Sequence, residues 1–151
     1  MKFFLDENVN HGCLSPLKAV YHQHEFRHAH DEGLAGELDI PLFAKLREQK
    51  YDAIITKDGR QLVNEDERRA LYESGLHWIG HAAKGHKGLR GVSVETATVT
   101  AGLIYVLEDW RPEPHSYMLM GIPTDVGQRV KVRAVGLDGW KRGTGTGLGI
   151  A

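Results

Sequence analysis

Cysteine occurs once in this 151-residue sequence, at Cys13, and a lone thiol excludes an internal disulfide framework and fits a reducing compartment. Long apolar runs are missing as well. No stretch approaches the roughly 20 consecutive apolar residues of a membrane helix, and the N-terminus has neither the charged nor the apolar region of a signal peptide. The expectation is a cytoplasmic protein with no membrane partner. Charge of one sign is equally scarce. With a net charge of -1, the chain does not coat nucleic acid by bulk electrostatics, and any such contact must be local. The glycine-rich "GTGTGLG" lacks the leading strand, following helix and Lys-Ser/Thr pair of a phosphate-binding loop, and residues 137–151 read as a flexible tail.

What is present is an alternation of short apolar runs with helical patterns, in a chain 41% hydrophobic and long enough for one ordinary core. "KFFLD", "HEFRHAH", "DAIIT" and "LHWIGHA" read as strands, the first buried on both faces. "LSPLKAVYHQ" and "DIPLFAKLREQ" space their apolar residues as helices, the second with Asp39 as its cap and Pro41 tolerated in its first turn. "NEDERRALYESG" carries a complete set of helix signals: Asn64 as N-cap, Glu67 as capping-box partner and Gly75 as the stop. "SVETATVTAGLIYVLEDW" mixes β-branched residues with apolar positions 97, 101, 104 and 107, and its length favours a buried helix. Strand–helix repeats of this kind predict an α/β layer structure around a mostly parallel sheet.

Ligands of such sheets gather at the carboxyl ends of the strands. Asp6 and Glu7 lie just past one strand and Asp58 just past another, so neighbouring strands would deliver both acids to one crevice, with Asp39 joining from a helix start. Clustered carboxylates raise one another's pKa unless a cation intervenes, and an oxygen-only ligand set suits Mg²⁺ or Mn²⁺. Such an ion activates water and stabilises a phosphodiester being cut. Residues 31–67 hold ten acids against five Lys or Arg, whereas 68–151 hold seven against eleven. The acids therefore concentrate in the half that would bear the site, and the bases in the half suited to a polyanion.

"MKFFLDENV", "DEGLAGELDIPLFAKLREQ" and "AIITKDGRQLVNEDERRALYESGLHWI" resemble the PIN-like nuclease domains related to VapC toxins, in the branch with Asp-Glu-Asn after the first strand and a Thr-Arg/Lys-Asp motif after a later one. The resemblance covers roughly residues 1–110. It implies a three-layer α/β/α domain that cleaves RNA with Mg²⁺ or Mn²⁺, often as the toxin of a toxin–antitoxin pair and commonly as a homodimer. By position, Asp6, Asp39 and Asp58 match the metal-binding acids, Thr56 would position the loop, and Lys57 would contact a phosphate. Arg60 stands where many PIN domains have a further Asp, which makes Glu67, or Asp66 beside it, the candidate fourth acid. Glu7 and Asn8 flank the site. The domain is expected over 1–115, with a β-hairpin extension over 116–136.

Each residue also has a plainer role open to it. Asp6 and Asp58 suit turns, Asp39 a cap, and Glu67 the capping box, while Glu37 is a poorer substitute for Asp39. His22, His24, His28 and His30 recur at even spacing. That pattern admits a Zn²⁺ or Ni²⁺ site, but fits half-exposed edge-strand residues better. "HAAKGHKGLRG" is a basic loop that either grips phosphate or is simply solvated. Cys13 reads as a packed residue near the first helix. "SYMLMGIP" and the alternating "RVKVRAV" read as the two limbs of the hairpin, its basic face either a binding surface or a guarded edge. Two functions follow: a metal-dependent ribonuclease, or a PIN-like binding module with weak or no catalysis.

Overall fold

The computed structural model describes residues 1–82 and 85–136. Five strands, β1 (Lys2–Leu5), β2 (Glu25–His28), β3 (Ala53–Thr56), β4 (His77–His81) and β5 (Ser116–Leu119), form one sheet in the order β2-β1-β3-β4-β5, every pair parallel. Helices cover both of its faces, giving the α/β/α arrangement expected.

Alternation within the strands sets the layers. Phe3, Leu5, Ala53, Ile55 and Ile79 point to one side, where they meet Leu14 and Leu17 of α1 (Leu14–Val20) and Val99, Leu103 and Val106 of α5 (Gly88–Glu108). Phe4, Ile54 and Trp78 point to the other and pack on Leu42, Phe43 and Leu46 of α2 (Asp39–Glu48) and Leu71 of α4 (Glu65–Glu73). A strand buried on both faces reads as a continuous apolar run, which is why "KFFL" and "AIIT" stand out in the sequence. β3 holds the centre of the sheet, with β1 directly beside it.

Three expectations need correction. The first concerns the C-terminal hairpin. Residues 116–119 do form a strand, but it joins the main sheet in parallel beside β4, and 130–136 form no strand; a short helix, α6 (Val126–Arg129), begins the second limb. Apolar Tyr117 and Leu119 pack against the first core cluster, and this burial favours pairing with the sheet over a two-stranded ribbon in water. The second concerns α5, which starts at Gly88, inside the expected basic loop. Its buried stripe is Val94, Glu95, Thr98, Val99, Leu103 and Val106 instead of 97, 101, 104 and 107. Two polar residues and Gly102, packed closely on Leu119, hide that stripe from an apolar pattern. The third concerns the histidines: His28 is fully buried, its Nε2 bonded to the Val9 carbonyl at 2.8 Å, while His22 and His30 are exposed. The 137–151 tail and Lys84 of the basic loop lie outside the described residues.

Candidate active site

β1 and β3 are neighbours, so the residues that follow them meet at the carboxyl edge of the sheet. The Asp6 amide donates to the Ile55 carbonyl at 2.9 Å, carrying the ladder one residue beyond β1 and fixing where its side chain emerges. That side chain is buried. Its Oδ2 accepts from the Thr56 hydroxyl at 2.8 Å and its Oδ1 from the Glu7 amide at 2.9 Å.

Thr56 joins two of the acids. While donating to Asp6, its hydroxyl oxygen accepts from the Asp58 amide at 3.0 Å, so the turn after β3 is tied to the turn after β1. Asn8 completes the tie: its Oδ1 accepts from the Lys57 amide at 3.0 Å. Glu7 reaches the other way and accepts from the amide of Gly36 at 2.6 Å, anchoring the loop that leads into α2. Gly36 has a φ of +82, a conformation other residues rarely adopt.

Asp39 opens α2 but does not cap it. Leu38 occupies the cap position without a side-chain bond, and the Asp39 carboxylate turns instead to Gln61, whose Nε2 donates to Oδ1 at 2.8 Å. Asp58 is held by Arg60, with Nε to Oδ1 at 2.9 Å and Nη2 to Oδ2 at 3.0 Å.

Glu67 departs from its plain role. Asn64 caps α4 as expected, its Oδ1 accepting from the Glu67 amide at 3.0 Å, but the reciprocal bond of a capping box is absent because the Asn64 amide donates to the Arg60 carbonyl. The Glu67 carboxylate is thereby released, and its Oε2 is buried with no hydrogen-bond partner.

Asp6, Glu7, Asn8, Asp39, Asp58, Arg60 and Glu67 all line one open cavity of about 560 Å³. Asp66 is exposed and does not line it, whereas Glu67 does. Glu37 is at the rim, paired with Lys45 at 2.9 Å. Burial pushes Asp6 above the usual carboxylate range, with Asp39 and Glu7 adding to the effect. Asp39 is raised by burial and then by Asp58 and Glu7, and Glu67 by burial and then by Asp39 and Asp58. Asp58 alone moves down, because the Arg60 guanidinium beside it favours the charged form.

This donor set fits a hard divalent cation. It is all oxygen, its acids oppose one another's ionisation, and one buried carboxylate oxygen lacks a partner. As the side chains stand, no three His, Cys, Asp or Glu among the described residues are grouped closely enough to hold one ion. Arg60 occupies Asp58, and Gln61 occupies one oxygen of Asp39.

Lys57 points away from this cavity. Its ammonium lies 3.6 Å from Glu95 Oε2 on the α5 side of the sheet edge, where Glu95 also accepts from the Asn10 amide at 2.8 Å and stands 3.5 Å from His81 Nε2. Although burial raises Glu95, these partners outweigh it and hold the acid below its ordinary range. Sequence reasoning missed Gln61 and Glu95. Neither sits in a recognisable motif, and Glu95 lies in mid-helix among residues that read as apolar core.

An acid-lined crevice at the carboxyl edge of a five-stranded parallel sheet defines the class: an α/β domain with an oxygen-donor site at its topological switch. Residues 1–83, more than half of the chain, match the family described as PIN like domain, and the chain belongs to that family. No curated protein and no solved structure matches it. No helix among the described residues is long and apolar enough to cross a membrane.

Proposed function

We propose that this protein is a Mg²⁺- or Mn²⁺-dependent endoribonuclease of the PIN-like class. The observation that carries the reading is the meeting of Asp6, Asp39, Asp58 and Glu67 in one cavity, three of them pushed above the ordinary carboxylate range by burial and by one another. Asp6, Asp39 and Asp58 would hold the ion. Bound there, a divalent cation supplies a more acidic water and neutralises charge on the phosphodiester.

The chain's own residues do the rest. Thr56 holds Asp6 and the Asp58 turn in register, and Asn8 fixes the Lys57 backbone. Glu67, with an unpaired buried oxygen and a raised pKa, is the proton acceptor and donor of the site. Arg60, exposed at the cavity rim, would exchange Asp58 for a substrate phosphate.

The expected biology is that of a cytoplasmic toxin of a type II toxin–antitoxin pair, a homodimer silenced by a cognate antitoxin. The support for this part is the likeness of the sequence motifs to VapC-related domains. Purified protein is expected to cleave RNA with Mg²⁺ or Mn²⁺ and to lose cleavage on chelation and on Asp6→Asn. Expression is expected to arrest growth unless a neighbouring gene encodes a neutralising partner. No cleavage with either ion, together with no growth effect, would overturn the reading.

A second reading, a PIN-like binding module without efficient catalysis, is favoured by the Arg60 guanidinium seated on Asp58 and by the lack, among the described residues, of a closed three-ligand group. It predicts RNA or protein binding that Asp6→Asn leaves unchanged.

A further inference from the structure

Behind Asp39 lie two buried residues, Gln61 and Trp78, whose chemistry allows only one polarity. The Trp78 indole N–H can only donate, and it donates to Gln61 Oε1 at 3.1 Å. With its carbonyl thus engaged, the Gln61 carboxamide must present its NH₂, which donates to Asp39 Oδ1 at 2.8 Å. Gln61 is fully buried and Trp78 nearly so, so the indole bond is shielded from water, while the Gln61–Asp39 bond is part-buried at the cavity wall. The indole itself is set by an absence: a Cβ at Gly80 would come within 2.1 Å of Trp78 Cη2, so only glycine at that position leaves room for the ring.

The elements explain why this pair reaches the site. Gln61 sits in α3 (Arg60–Val63), immediately after the Asp58 turn, and Trp78 stands in β4 beside β3. Asp39 comes from the far side, at the start of α2. The relay thus joins a strand, the turn-borne helix and α2, and fixes one acid relative to the others.

We propose that Gln61 is the positioning residue for Asp39, held in one amide orientation by Trp78, so that Asp39 Oδ1 is committed to the protein and its other oxygen is left to a divalent cation. The consequence for metal binding rests on the proposed nuclease reading; the fixed orientation does not. Removing a partner that orients a ligand costs metal affinity roughly 10- to 100-fold in other sites.

Full-length wild type, Gln61→Met, Trp78→Phe and Leu71→Ala are compared. Gln61→Met keeps the volume and loses the donor, Trp78→Phe keeps an aromatic ring and loses the N–H, and Leu71→Ala destabilises the same core while leaving both hydrogen-bond donors of the relay in place. Mn²⁺ affinity, read by electron paramagnetic resonance of the free ion, is expected to fall about tenfold in the first two variants and to stay unchanged in Leu71→Ala. In the metal-free wild type, NMR is expected to show slow exchange of both the Trp78 indole proton and the Gln61 side-chain amide protons. Asp39→Ala should release the Gln61 protons while leaving the Trp78 proton protected.

Gln61 amide protons that exchange identically in wild type and Asp39→Ala would overturn the proposal, as would Mn²⁺ affinities lowered no more by Gln61→Met than by Leu71→Ala. A wild type that binds no Mn²⁺ defeats the metal reading, and the NMR comparison then decides the positioning role alone.

Discussion

Asp6, Asp39 and Asp58 are each held by different partners, and the partner determines what removal of the acid will do. Asp6 is buried and raised, so in the metal-free protein its negative charge opposes folding. Asp6→Asn removes the charge and keeps one oxygen, which accepts from Thr56 or from Glu7 but not both, so relief of the buried charge is partly offset by one lost hydrogen bond. The substitution is expected to stabilise the metal-free protein by about 1 kcal/mol at neutral pH, measured by urea unfolding, while abolishing cleavage. The sign of the pH dependence follows from linkage. A carboxyl whose native pKa lies above its unfolded value binds its proton more tightly when folded, so its unfavourable contribution is full above the native midpoint and gone below the unfolded value near 3.8. The advantage of Asp6→Asn over wild type should therefore shrink as pH falls through that window. An advantage that grows on acidification would contradict the assigned direction. Arg60→Ala releases Asp58 from an exposed guanidinium, and because such surface pairs are weak, a gain of only about twofold in Mn²⁺ affinity is expected. RNA affinity should fall in the same variant, measured by fluorescence anisotropy.

At the scale of elements, the acids sit where they do because apolar packing puts the elements there. Phe43 and Leu46 carry no exposed surface and seat α2 on Phe4, Ile54 and Trp78, which places Asp39 at the cavity. Phe43→Ala is expected to cost about 3 to 5 kcal/mol in unfolding free energy and to weaken Mn²⁺ binding by loosening α2. Retained affinity in a folded Phe43→Ala protein would show that Asp39 is placed by Gln61 alone. The elements that locate the acids are those with plain local signals: "KFFL" and "AIIT" are short runs buried on both faces, and α4 carries its own cap and stop. Asn64 does cap α4, and Gly75 ends it at a φ of +74. Elements whose stability comes from distant contacts carry weaker local signals. α5 hides its inward stripe behind Glu95, Thr98 and Gly102. Residues 130–134 alternate like a strand, yet form none, because no sheet edge takes them up. The site divides in the same way. Asp6, Asp39 and Asp58 follow from strand and helix ends, whereas the contacts around the acids, the Gln61 bond to Asp39 and the unreciprocated cap at Glu67, depend on which long-range bond wins.

For the whole molecule, the parallel sheet explains why the acids face one way. Parallel strands send all their carboxyl ends to one edge, so residues after β1 and β3 converge without any added domain, and the two helical layers close the faces while leaving that edge open. That edge carries two charge environments. On the α2–α4 side is the acidic cavity; on the α5 side, Lys57, Glu95 and His81 form a compensated group. The central claim is that the acidic side gathers around a divalent ion. Its most direct test is anomalous diffraction from crystals of the full-length protein soaked in Mn²⁺. A single strong anomalous peak within the cavity, bounded by Asp6, Asp39 and Asp58 with Arg60 swung away from Asp58, is the predicted result. A cavity without such a peak at saturating Mn²⁺, with Arg60 still paired to Asp58, would contradict it.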